Sequence, residues 1–208
     1  MARFYFLRHG ETEWNTEGRV CGHTDVPLSE AGRQQARWLA LRMKSIPVEA
    51  LYSSPLRRAL DTARMVGEAI GHEPIVDDRL RELSYGEWEG KTFDEVERAD
   101  PPAYLAWVAD PGSLAPPGGE SGEQLVERVA PFFDLMASRH GRGHVAVVCH
   151  KTVGRLLACH ILGAPLADYR RRVIIDNVSL SIFETGEEGW RVAALNDTSH
   201  LRPTDKQT

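Results

Sequence analysis

The stretch "FLRHGETEWN", residues 6–15, decides how this chain is read. It completes an apolar run, Phe4-Tyr5-Phe6-Leu7, that stops abruptly at Arg8-His9-Gly10. Residues 3–7 read as a buried β-strand, and Gly10 ends it. Such a strand delivers an arginine and a histidine where the backbone leaves the sheet.

A second transition of the same kind lies far along the chain. "HVAVVC", residues 144–149, is a continuous apolar run rich in β-branched residues. That is the pattern of a central strand covered on both faces, and His150 follows it directly. Between the two, helical and extended patterns alternate. Residues 29–44 read as a helix capped by Ser29, with Ala36, Leu39, Ala40 and Met43 on one face. Residues 48–53 read as a short strand. Residues 54–70 read as a helix with Ser54 at the N-cap, Pro55 at N1 and Gly71 just past the end. "EPIVDD" (73–78) is a short extended segment. Across 82–120 the pattern weakens to two short helices, "TFDEVERA" and "PAYLAWVA", and a loop rich in proline and glycine. A helix over about 121–139 carries Leu125, Val129, Phe132, Phe133 and Met136 on one face, and another spans 152–162. Two last strands, 178–184 and 190–195, flank the hairpin signal "TGEEG". This alternation predicts an α/β fold with a largely parallel central sheet. Ligands bind such sheets at the carboxyl ends of the strands. If the two central strands are parallel neighbours, His9 and His150 meet in one crevice.

The bulk numbers set limits on function. A chain of 208 residues suits one domain, 1–208. With 42% hydrophobic and 26% charged residues it matches an ordinary globular composition. Three cysteines, Cys21, Cys149 and Cys159, give neither a disulfide framework nor a CxxC spacing. No leader pattern and no long apolar run is visible, so no membrane association and a cytoplasmic location are expected. A net charge of -5 argues against nucleic acid as a partner. Any anion site must therefore be a local concentration of positive charge.

Arg8 offers a planar fork of donors suited to phosphate oxygens. A histidine beside it acts as a nucleophile when one ring nitrogen is unprotonated, and the arginine's charge favours that state. Gly10 lets the backbone turn tightly and approach a ligand. Alone, "RHG" reads equally well as a polar turn. "SSPLRRALDTA" (53–63) adds Arg57 and Arg58 on the first turns of a helix, a place where phosphate binds readily, although such pairs are otherwise plain solvated charge. "RELSYGEWEG" (81–90) adds Glu82, and "CHKTVGR" (149–155) adds His150 at a strand-to-helix turn.

Taken in order, "FLRHGETEWN", "GHTDVPLSEAGRQQA", "YSSPLRRALDTA", "RELSYGEWEG", "PPGGES" and "VVCHKTVGRLL" resemble the histidine phosphatase superfamily, in its phosphoglycerate-mutase-like branch. The likeness runs from about residue 3 to residue 200. It implies a three-layer α/β/α sandwich with a mostly parallel sheet and a variable substrate-side insertion at about 93–120. It implies that His9 becomes phosphohistidine, that Arg8, Arg58 and His150 hold the transferring phosphoryl group, and that Glu82 is the proton donor. Arg58 rather than Arg57 matches the family pattern. Asn15 and Thr12 would contact substrate or phosphate, and Gly22 and His23 would flank the pocket. The implied partner is a small phosphorylated substrate, with no cofactor, and related small phosphatases are often homodimers. A phosphoryl transition state spreads charge over three oxygens. Two arginines, a protonated His150 and backbone N–H groups would stabilise it, so no metal is required. One departure is Lys151, where many members have glycine; it reads as solvent-facing.

Rival readings remain. A cofactor-dependent mutase must clamp a second anion with paired donors, and "AYLAWVADPGSLAPPGGES" (103–121) contains neither arginine nor lysine. Hydrolysis is therefore favoured, with mutase-type transfer the alternative. Cys149 and Arg155 have the C-x5-R spacing of cysteine-dependent phosphatases, but strand alternation turns Cys149 away from a crevice that His150 faces. A non-catalytic binding module is a third reading; the full set of Arg8, His9, Arg58, Glu82 and His150 speaks against it. The substrate is not legible. Specificity is expected from 93–120 and the tail, and "RRR" (170–172) reads as solvated charge. His72, His140, His144 and His160 read as structural or exposed, His200 as a tail residue, and Trp88 as a packing group bordering the site.

Overall fold

The apolar run before Arg8 forms one of the two central strands of a six-stranded sheet. The computed structural model describes residues 1–201. Strand β1 (Arg3–Arg8) pairs in parallel with β4 (His144–Cys149), which pairs in parallel with β2 (Ala50–Ser53), and β2 with the two-residue β3 (Ile75–Val76). On the other side of β1 lie β5 (Leu180–Gly186) and β6 (Gly189–Asp197), both added antiparallel, so the order is β3-β2-β4-β1-β5-β6. The sheet is mostly parallel, as the alternation predicted.

Side-chain alternation along the central strands explains their unbroken hydrophobicity. Phe4 and Phe6 of β1, with Val145, Val147 and Cys149 of β4, pack on one face against α6 (Gly122–His140) and α7 (Lys151–Ile161). Tyr5 and Leu7, with Ala146 and Val148, pack on the other face against α2 (Glu30–Met43) and α3 (Arg57–Ile70). The helical faces read from the sequence supply these layers: Ala36, Leu39, Ala40 and Met43 below, Leu125, Val129, Phe132, Phe133 and Met136 above. Sheet and flanking helices make the expected α/β/α layering.

Between β3 and α6 run two 3-10 turns (Asp78–Leu80 and Gly86–Trp88) and two short helices, α4 (Phe93–Ala99) and α5 (Pro101–Ala109). Their aromatic residues Tyr85, Trp88, Phe93, Tyr104 and Trp107 form a cluster of ring contacts between 5.1 and 6.4 Å. Two four-residue helices, α1 (Glu13–Thr16) and α8 (Tyr169–Arg172), lack enough periodic residues to be read in advance.

One helix start differs from its sequence reading. Helix α3 begins at Arg57, with Leu56 in the cap position and no side-chain cap, rather than at Ser54 and Pro55. The Ser54 hydroxyl is diverted: it lies 2.7 Å from His150 Nε2 and accepts the Leu56 N–H.

Gly10 also has a different use from the one expected. A side chain there would run into the backbone of Gly32 in the first turn of α2, and one at Gly32 would run into the backbone of Glu11. The two glycines let a helix press on the segment following His9. Gly32→Ala should therefore lower the free energy of unfolding in urea by roughly 1–3 kcal/mol, the usual cost of overpacking. An unchanged midpoint would show that this contact is dispensable.

Candidate active site

The β1–β4 register sets the centre of the site. Arg8 lies opposite Cys149, and the His9 N–H continues the ladder to the Cys149 carbonyl at 3.0 Å. The next residues, His9 and His150, leave the sheet side by side with ring centroids 5.2 Å apart. Both are almost fully buried, at 3% and 0% exposure.

The His9 ring is fixed by one bond. Its Nδ1 lies 2.7 Å from the Gly10 carbonyl. A carbonyl only accepts, so Nδ1 carries the proton and Nε2 keeps its lone pair. Burial first, then the charges of Arg58 and Arg8, hold the imidazole pKa well below its ordinary value. The backbone is held equally firmly. The His9 carbonyl accepts from Val178 N and Asn177 Nδ2, each at 3.2 Å. Val178 has φ 51°, an outlier for a β-branched residue, so strain is stored directly against the segment that carries His9.

The two arginines come from different elements. Arg8 ends β1 and donates Nη1–H to the Ile175 carbonyl at 2.9 Å; burial pulls its pKa down to about 10. Arg58, in the first turn of α3 and 1% exposed, donates to the carbonyls of Thr24 and Gly22 at 2.9 and 2.7 Å, and burial lowers its pKa too. Arg57 instead turns outward toward Asp61, 3.6 Å away, and Arg58 is the one of the pair that lines the cavity. Gly22 serves through its backbone: φ is 50°, and any side chain would strike the Glu89 carboxylate.

Glu82 comes from the loop after the first 3-10 turn. Its carboxylate accepts N–H bonds from Leu83 at 2.8 Å and Thr152 at 3.1 Å. Its carbonyl accepts from His23 Nε2 at 2.8 Å and Arg128 Nη2 at 2.9 Å. Arg8, His9, Asn15, Gly22, Arg58 and Glu82 line one cavity of about 350 Å³. Two buried donors of this cationic centre, Arg8 Nε and Arg58 Nε, have no partner among the described residues. Buried donors without partners are costly, and a group rich in acceptor oxygens would satisfy them. Such a site has an imidazole with an unprotonated ring nitrogen, fixed cations and a carboxyl group. It is equipped to transfer a phosphoryl group.

Comparison with known proteins shows the family. The model of the histidine phosphatase superfamily, branch 1, matches residues 4–198. The chain belongs to that superfamily. It is 35% identical over 201 residues to phosphoserine phosphatase 1 of Hydrogenobacter thermophilus, covering 97% of this chain and 95% of the relative. It is 35% identical to a probable phosphoglycerate mutase of an Enterobacter species, over 97% of this chain and 95% of that one. The solved structure of Bacillus stearothermophilus YhfR superposes with a TM-score of 0.90 at 35% identity, covering 97% of this chain and all of the other. Family and named phosphatases place the protein among phosphoric monoester hydrolases.

Not every residue expected at the superfamily's site reaches the cavity. Thr12 is buried and caps α1, exchanging bonds with Asn15 in a capping box; it positions Asn15 rather than lining the pocket. His23 stands outside the lining and braces the Glu82 carbonyl. Trp88 belongs to the aromatic cluster and does not border the cavity. His150 lies behind His9 and is held well below its ordinary pKa by burial, then by Arg58 and His9. It is therefore neutral until an anion opposes those charges, not a standing cation. Cys149 faces the apolar layer, donates to the Leu80 carbonyl at 3.2 Å, and has its thiol pKa pushed up by burial. Lys151 is exposed but also lines the cavity mouth. His72, His140 and His144 make structural bonds to Val48, Tyr52 and Tyr5. His200 is partly buried and lies off the cavity.

Several contributors were invisible in the sequence. Ser54 holds His150. Asn177 ties His9 to Asn15, with 3.3 Å to Asn15 Oδ1. Glu89 accepts the N–H groups of His23, Thr24 and Tyr85 at 2.9, 2.8 and 3.1 Å, gathering the loop that orients Arg58. Among the described residues, no group of three or more His, Cys, Asp and Glu is arranged to hold a metal ion, and no helix is long and apolar enough to cross a membrane.

The depressed histidines give a solution test. Of the eight histidines, His9 and His150 should keep the NMR signature of neutral imidazole as pH falls through 6.5. Arg58→Met should move both midpoints upward by removing a positive neighbour. Ordinary midpoints for both rings would contradict the described electrostatics.

Proposed function

We propose that the protein is a phosphomonoesterase that needs no metal ion and acts on a small phosphorylated metabolite through a phosphohistidine on His9. One observation carries the reading: the 2.7 Å bond from Nδ1 to the Gly10 carbonyl, which leaves the Nε2 lone pair free in a cavity walled by Arg8 and Arg58.

In the first half-reaction, Nε2 forms a bond to phosphorus while the bond to the ester oxygen breaks. Glu82 gives its proton to the departing oxygen. Arg8 and Arg58 neutralise the equatorial oxygens, a preorganised stabilisation of the kind that dominates such catalysis. The arriving dianion also offsets the field of Arg58 at His150 and draws a proton onto that ring. In the second half-reaction, the Glu82 carboxylate takes a proton from water. The water oxygen bonds to phosphorus, the P–N bond breaks, and inorganic phosphate leaves with the Nε2 lone pair restored.

Hydrolysis is favoured over mutase-type transfer. Of residues 93–120, only Phe93 lines the cavity, so the insertion brings no cation to clamp a second phosphate. The mouth, where Lys151 is exposed, admits water. Purified protein should release inorganic phosphate from monoesters without added 2,3-bisphosphoglycerate and form no isomerised product. His9→Ala should lower turnover of an aryl phosphate by about 10³-fold or more, as loss of a covalent nucleophile does. Cys149→Ser should stay within a few-fold of the parent, and the trapped phosphoenzyme should be labile in acid and stable in base. Loss of turnover in Cys149→Ser with retention in His9→Ala would reverse the assignment.

A further inference from the structure

The cavity mouth holds an amine that the phosphoryl steps do not use. Lys151 opens α7 and lines the cavity together with Arg8, Glu82 and Asp176. Its side chain makes neither an ion pair nor a hydrogen bond among the described residues. The other lysines of the described residues, Lys44 and Lys91, lie off this cavity. Arg19, also at the cavity, is differently placed: its guanidinium is occupied by Glu17, Glu95 and the Gly90 carbonyl.

Its surroundings disfavour charge on this amine. Lys151 is the first residue of an eleven-residue helix, where the unpaired N–H groups already present positive charge. Loss of hydration against the cavity wall, then Arg8 and Arg155, pull the ammonium down to about 8. The acidic groups whose charge reaches it are Glu82 and Asp176. The Glu82 oxygens already accept from Leu83 and Thr152, and Asp176 is engaged with Asn196. A share of neutral amine therefore stands at the mouth near neutral pH. A neutral lysine attacks carbonyl carbon.

We propose that Lys151 is a covalent capture site for phosphorylated aldehydes: the phosphate occupies the Arg8–Arg58 pocket, and the aldehyde carbon condenses with Nζ. The proposal rests on the phosphate-binding part of the function proposed above and adds a covalent ligand class. The pocket supplies the anchor, since Arg8 Nε and Arg58 Nε are buried donors without partners. Lys151 shares the cavity with both arginines, so an anchored phosphate brings its own carbonyl to the amine. In the reaction the Nζ lone pair bonds to the carbonyl carbon, and the π pair of the C=O bond moves to oxygen. A proton passes from nitrogen to that oxygen, giving a carbinolamine. Loss of water then forms the C=N bond of an imine, and addition of water reverses it. Nothing is oxidised or reduced. Anchoring turns a bimolecular addition into one within a bound complex. The imine fills the cavity, so phosphorylated aldehydes act as reversible covalent inhibitors of the hydrolysis of other esters.

The probe is pyridoxal 5′-phosphate, with pyridoxal as the match that lacks the phosphate. Protein is incubated with either, then treated with borohydride, which adds hydride to the imine carbon and makes the link permanent. Peptide mapping locates the label. His9→Ala is treated beside the parent, so that cleavage of the probe's own ester does not mask capture. Label should fall on Lys151 in preference to Lys44, Lys91 and the terminal amine of Met1. The phosphorylated probe should label Lys151 at least about tenfold faster than pyridoxal, a modest part of what anchoring can supply. Excess inorganic phosphate should remove that advantage, and Lys151→Arg should lose the label. Before reduction, hydroxylamine should restore the aryl phosphate turnover that the probe blocks. Pyridoxal brings no phosphate to oppose Arg8. Its rate at Lys151, which faces Arg8, Arg155, Glu82 and Asp176, should turn upward around pH 8, well below the midpoint of an ordinary lysine. Label spread evenly over the amines, or a rate at Lys151 that neither the probe's phosphate nor competing phosphate alters, would overturn the capture site while leaving His9-dependent hydrolysis intact. Turnover that survives His9→Ala, with phosphate-dependent label still on Lys151, would remove the hydrolytic reading and keep the capture site.

Discussion

The parallel pairing of β1 with β4 is the constraint on which the site depends. Its register sets Arg8 opposite Cys149, so the residues that follow each strand emerge together. No loop contact could place two imidazoles this reproducibly, because a slip of one residue would turn each ring to the opposite face of the sheet. The register is in turn fixed by both layers of core. Phe4, Phe6, Val145 and Val147 belong to one, Tyr5, Leu7, Ala146 and Val148 to the other. A slip would bury nothing properly on either side.

The cations are held by carbonyls rather than by carboxylates. Ile175 orients Arg8, and Gly22 and Thr24 orient Arg58. A carbonyl dipole fixes a guanidinium without cancelling its charge, so the full positive field remains for a phosphoryl group. Burial of two arginines this way is expensive. The visible effects are their lowered pKa values and those of the two histidines. The superfamily's chemistry needs that field, and the outer loops are organised to sustain it, with Glu89 gathering residues 22–24 behind Arg58.

The strands and long helices were legible because each presents one dominant periodicity. Residues 3–7 and 144–149 are apolar on both faces, and the long helices repeat apolar residues at helical spacing. His9, Arg58 and His150 stood out because polar groups interrupt those patterns at strand ends or a helix start, whereas Glu82 stood out only through the motif "RELSYGEWEG" that carries the family resemblance. What could not be read is anything that depends on a partner distant in sequence. Ser54 looks like a helix cap until His150 claims its hydroxyl. Gly10 looks like a ligand-facing turn until Gly32 is pressed against it. Thr12 and His23 sit inside the right motifs but serve by bracing Asn15 and Glu82. Lys151 looks like a surface residue because nothing in "CHKTVGR" reveals that the helix opens onto the cavity.

The proposed nucleophile and proton donor stand on separate foundations. His9 is mounted on β1, whereas Glu82 hangs from Arg128 of α6, whose guanidinium also grips the carbonyls of Arg79 and Arg81 and the carboxylate of Glu120. On the mechanism proposed above, the seating of α6 on the sheet, through Phe132 and Phe133, governs how well protonation keeps step with bond cleavage. Esters whose departing oxygen is a strong base would feel any tilt of that helix, and those with an acidic departing group would scarcely register it. That mechanism writes sensitivity to leaving-group basicity into the packing of a helix that contributes no side chain to the cavity.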